Sequence, residues 1–107
     1  TYTAAALKPT AELVRNLGRT LEGEVLAPLY LEAKLGRSLR LLGTQGLVGM
    51  ALAGLDMAAW DALARVHQVS LVRLLGGAEK PIPAYGGIGY EGAAGAERSA
   101  ARWVEQG

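Results

Sequence analysis

Leu13, Leu17, Leu21 and Val25 recur every four residues with Val14 alongside, which predicts an amphipathic helix opening at Pro9-Thr10 and running to about Leu26. Gly18 and Gly23 weaken it, because glycine gives up the most backbone freedom in a helix. Pro28 ends this helix and opens a second, in which Leu31, Leu35, Leu39 and Leu42 form the apolar stripe, Lys34, Arg37 and Arg40 face outward, and Gly43 caps the C-terminus. So tight a connection predicts that the two pack as a helical hairpin.

The third helix is the longest, capped by Thr44 and reaching about His67. Ala51, Leu55, Ala58, Ala62 and Val66 share one of its faces, while Leu52, Ala59 and Leu63 cover the adjoining one, so it is expected to be buried between layers. Charge is costly there. Asp56 therefore needs a partner, expected from hydrogen bonds of a neighbouring backbone turn, and Asp61 has Arg65 at the favourable i, i+4 spacing. Ser70 caps a short fourth helix that stops at Gly76-Gly77.

Beyond it, Lys80-Pro81-Ile82-Pro83-Ala84-Tyr85 is extended by its prolines and reads as one short strand or a linker. Glycines 86, 87, 89, 92 and 95 make a loop, and Ala96 to Gln106 forms a last helix with Ala100, Trp103 and Val104 on its buried side. A lone strand cannot form a sheet, so the 107 residues read as mainly α, with a single β-α unit lacking its neighbours.

Composition narrows the function classes. The 11 basic and 10 acidic residues leave a net charge of +1 and are scattered, so neither nucleic acid nor an anionic membrane is an expected partner. The longest apolar stretch is interrupted short of the roughly 18 residues of a transmembrane helix. Cysteine is absent, which removes disulfide and thiol chemistry and fits a reducing compartment; a cytoplasmic location is the expectation.

Candidate chemistry is sparse. Gly87-Ile88-Gly89-Tyr90-Glu91-Gly92 spells G-x-G-x-x-G, but a dinucleotide site needs an apolar strand before it and an acid about 20 residues on. The preceding segment carries two prolines, the sequence stops at Gly107, too early to show the rest, and so glycine-rich a loop is expected to match by chance. Asp56 and Asp61 are five residues apart, about 140° around a helix, and do not converge on one ion. His67 is the sole histidine and suits the last turn of a helix through its dipole rather than a metal. Trp60 and Trp103 lack an accompanying basic cluster and read as core.

The block Ala51 to Gly76 nevertheless carries a specific pattern. Ala51, Ala53-Gly54-Leu55-Asp56, Ala58-Ala59, Asp61-Ala62, Ala64-Arg65, Ser70-Leu71 and Leu74-Leu75-Gly76 resemble the first signature of the mandelate racemase and muconate-lactonizing enzyme family of the enolase superfamily. Gly54 to Leu63 with Val66-His67, Leu26-Ala27-Pro28 and Pro81 to Tyr85 are most similar to its mandelate racemase branch.

The resemblance implies that residues 1–79 are the helical part of an enolase-type α+β capping domain. Residues 80–107 would be the first strand, loop and helix of a TIM-like (β/α) barrel, both ends being cut from a longer enzyme. It implies a magnesium-dependent racemase or acid-sugar dehydratase that removes the α-proton of a small 2-hydroxy carboxylate, and the apolar helix faces that a missing β-meander and barrel would cover predict that the chain forms homo-oligomers. Catalytic base and metal ligands would lie outside the chain, which is expected to bind no magnesium and to be inactive alone. Tyr2, in the segment before the first helix, would belong to a lid over the substrate. Gly87, in the loop after the first barrel strand, would border the pocket, at a position where that branch carries a polar residue. The alternative is a self-standing helical interaction or oligomerisation module.

Overall fold

The computed structural model describes residues 4–107, which form five helices and, among the described residues, no strand. These are α1 (Ala4–Arg19), α2 (Pro28–Ser38), α3 (Gly46–Val66), α4 (Leu71–Leu74) and α5 (Gly92–Gln106).

α1 starts earlier than Pro9 predicts. Ala4-Ala5-Ala6-Leu7-Lys8 are strong helix formers, and Pro9 is carried inside the helix, where the Thr10 hydroxyl donates to the Ala6 carbonyl at 2.7 Å. The helix also stops short of Leu26. The Thr20 hydroxyl turns back to the Leu17 carbonyl at 2.6 Å, and the backbone tightens to three-residue hydrogen bonds from Thr20 to Glu22.

α2 opens at Pro28 as expected, yet its regular part closes at Ser38, with a further turn before Gly43. Leu31, Leu35 and Leu39 are buried, whereas Leu42 is 75% exposed. The N-cap of α3 is Gln45 rather than Thr44, and its side chain makes no capping hydrogen bond.

The core joins Leu17 of α1, Leu35 of α2, Leu39 just after it and Ala51 of α3, flanked by Leu13, Val14, Leu21, Val48, Leu52 and Leu55. α1 and α2 each pack chiefly on α3 instead of forming a hairpin with one another. Ala51, the smallest of these side chains, lets both neighbours approach the middle helix closely. α3 itself is not enclosed: Ala51 and Ala64 are its buried residues, while Ala58 and Val66 face outward. Its all-round apolarity exceeds what α1 and α2 cover.

At 21 residues with a mean hydropathy of 1.4, α3 is long and apolar enough to cross a membrane by length and composition. The expectation that no stretch is long enough to span is thus not met by α3, which carries Asp56 and Asp61 and packs against α1 and α2.

α3 and α4 end alike. After α3 the Val69 N–H reaches the Ala64 carbonyl and the Gln68 N–H that of Arg65, each at 3.0 Å, with Gln68 itself left-handed at φ 55°. After α4, Gly76 takes the left-handed position at φ 78° and Gly77 bonds back to Val72. Both are Schellman closures, though only the second carries the glycine that announces one in a sequence.

α5 does not pack substantially on α1, α2 or α3. The radius of gyration is 18.4 Å, with extents of 49 × 37 × 19 Å, against about 13 Å for a compact chain of this length. Segment 77–107 stands away from the three-helix core.

Candidate functional site

Two places could bear function: the glycine loop ahead of α5 and a groove along α2 and α3. The loop descends from the extended segment 78–89, where Pro81 and Pro83 each remove a backbone donor. The expected strand is not formed by the described residues, since no second strand is present to pair with it.

Gly87 is exposed, and its carbonyl accepts a hydrogen bond from the Trp103 indole N–H at 3.1 Å. Gly86 lies directly against the Trp103 ring, so closely that a Cβ there would collide with it. The Arg102 guanidinium sits over the ring, 5.1 Å from its centroid. Trp103 therefore packs on the loop and not on another helix, and it stays 37% exposed. Val104, expected on the buried side of α5, is 81% exposed; Gly95 is the buried residue of that helix and Ala100 is half-buried.

The G-x-G-x-x-G spelling has no phosphate geometry behind it. Glu91 precedes α5, and its carboxylate accepts from the Ser99 hydroxyl at 3.4 Å. A negative charge thus occupies the end of the helix where an anion would dock. Tyr2, the other residue assigned to the substrate by resemblance, lies outside the described residues.

The groove, about 680 Å³, is lined by Leu21, Leu31, Leu35, Leu52, Leu55 and Asp56 among others. Asp56 is half-buried and makes no side-chain hydrogen bond or ion pair among the described residues, so the backbone turn expected to serve it is not there. No polar side-chain atom among them is sealed from solvent without a partner. The Asp56 carboxylate therefore reaches water at the groove's edge. Asp61 meets Arg65 as the spacing predicts, Oδ2 to Nε at 2.7 Å. This hydrogen bond, and then the carboxylate's charge, raise the Arg65 pKa above its ordinary value.

Magnesium demands near-octahedral oxygen ligands, typically with one or two carboxylates. Among the described residues no three of His, Asp and Glu come together to hold a metal ion. With Asp61 engaged by Arg65 and Asp56 on a different face of α3, these residues do not make a magnesium site. His67 closes α3 as its C-cap and is exposed.

Sequence reasoning missed two polar links. Lys34, expected to face outward, donates to the Glu24 carboxylate and, at 3.4 Å, to the Thr20 carbonyl. Glu79 accepts from the Ser70 hydroxyl at 3.2 Å and lies 3.7 Å from Arg73, tying the outgoing chain to α4. Charge complementarity was the available signal, but separations of 10 and 9 residues are invisible to helical periodicity.

These helices match the N-terminal capping domain of enolase-superfamily members. Residues 1–76 match the family model for the N-terminal domain of mandelate racemase / muconate lactonizing enzyme. The chain belongs to that family. It is also similar to an enolase from Bradyrhizobium whose crystal structure was determined in complex with magnesium and mandelic acid, with 54% identity and a TM-score of 0.73. The match covers 78% of this chain and 23% of that one, so the chain spans less than a quarter of the relative's length.

Proposed function

We propose that this chain is the helical part of the cap of a magnesium-dependent enzyme of the mandelate racemase type. The enzyme removes the α-proton of a small 2-hydroxy carboxylate, as a racemase or an acid-sugar dehydratase. The observation that carries this reading is the 54% identity to a protein that binds magnesium and mandelic acid. The general base and the metal carboxylates belong to polypeptide outside these 107 residues, in keeping with the dispersed acids of α3. This chain's task is to close the site: Tyr2 in the lid excludes water over the substrate, and the loop carrying Gly87 lines the pocket at the catalytic end of the barrel. The whole enzyme is a homo-oligomer.

The test is exchange of the α-proton of mandelate in D2O, followed by NMR, with the complete polypeptide. Magnesium-dependent loss of the α-proton signal, abolished by chelation, supports the reading. A complete polypeptide inert toward a panel of aromatic and sugar-derived 2-hydroxy acids overturns it.

A further inference from the structure

Trp103 and the glycine loop are joined by two contacts, its indole N–H to the Gly87 carbonyl and its ring against Gly86, and the Arg102 guanidinium lies over the same ring. Because Gly92 begins α5 and Trp103 lies eleven residues, about 16 Å, along it, the segment from Gly87 to Gly92 runs back beside the helix. Ile88 and Tyr90 are thereby presented outward, at 54% and essentially full exposure. An aliphatic and an aromatic side chain held in solvent on a fixed backbone are suited to an apolar substituent of a ligand.

We propose that Trp103 is a positioning residue: it pins the main chain at Gly86-Gly87 and so sets where Ile88 and Tyr90 meet the side group of the substrate. The identity of that substrate rests on the function proposed above; the pinning does not. Glycine at 86 is required by the close approach of the ring, and the Gly87 side of the loop is fixed through its carbonyl, which any residue could offer. The indole nitrogen is the specific element, since phenylalanine would keep the packing and lose the donor.

The experiment compares wild type with Trp103→Phe and Gly86→Ala in the complete polypeptide, Gly86→Ala displacing the ring while keeping the indole. Two readouts are taken: chymotryptic cleavage after Tyr85 and Tyr90, and kcat and KM for α-proton exchange of mandelate. Loss of one net hydrogen bond should raise the open population of the loop, and hence cleavage, roughly fivefold. KM should rise several-fold with kcat nearly unchanged. Unaltered cleavage in both variants overturns the pinning; faster cleavage with unaltered KM, or a fall in kcat alone, overturns the link to substrate. If the wild-type polypeptide exchanges no 2-hydroxy acid, the proposed function fails and cleavage alone decides whether Trp103 holds the loop.

Discussion

The Lys34 ammonium donates to the Glu24 carboxylate, tying the middle of α2 to the turn that follows α1. The hydrogen bond from Lys34 holds the Glu24 carboxyl below its ordinary value of 4.5. A carboxyl with a depressed folded-state pKa binds its proton less readily in the folded than in the unfolded chain. Its stabilisation is therefore complete above the unfolded value and disappears as pH falls through the folded one.

Urea midpoints of wild type and Glu24→Gln should accordingly differ near neutral pH and converge in acid, as pH falls through the lowered Glu24 value. The gap should also shrink in high salt, because the pair is open to solvent. A difference that persists undiminished at pH 3 would mean that Glu24 acts through packing and not through its charge.

Gly18 and Gly49 separate two effects of adding a methyl group. A Cβ on Gly18 would lie 3.8 Å from Leu55 Cδ2, an ordinary contact between α1 and α3, so Gly18→Ala should stabilise the fold by about 0.5–1 kcal/mol. A Cβ on Gly49 would lie 2.6 Å from the Thr44 carbonyl oxygen. Gly49→Ala should therefore destabilise by about 1–3 kcal/mol. Chemical denaturation of the two variants checks both signs.

The three-helix core was legible because leucines at four-residue spacing mark a helical face directly: Leu31, Leu35 and Leu39 were expected inside and are buried. The ends of the helices were not. Pro9 normally starts a helix, yet five helix-forming residues precede it, and Gln68 adopts a left-handed conformation that glycine usually signals. Periodicity also overstated the burial of α3 and of Val104, since it records which face is apolar and not whether anything covers it. Within the candidate site, Asp61 with Arg65 was readable from spacing alone. The bond from Trp103 to Gly87 spans 16 residues and depends on how a structureless segment folds back.

Uncovered apolar side chains have a consequence for the isolated 107 residues. Val25, Leu29, Leu41 and Leu42 are 74, 69, 92 and 75% exposed, and exposed apolar surface drives association. Light scattering should show concentration-dependent oligomers, which Leu41→Lys with Leu42→Lys reduces. A clean monomer at high concentration would show that these residues form no adhesive surface.

Division of labour between scaffold and chemistry is tested most directly by α-proton exchange of mandelate in D2O, comparing the purified 107-residue chain with the complete polypeptide, both supplied with magnesium. The complete polypeptide should exchange the proton, and the chain alone should leave its NMR signal unchanged. Magnesium-dependent exchange by the isolated chain would contradict the placement of every catalytic group outside it.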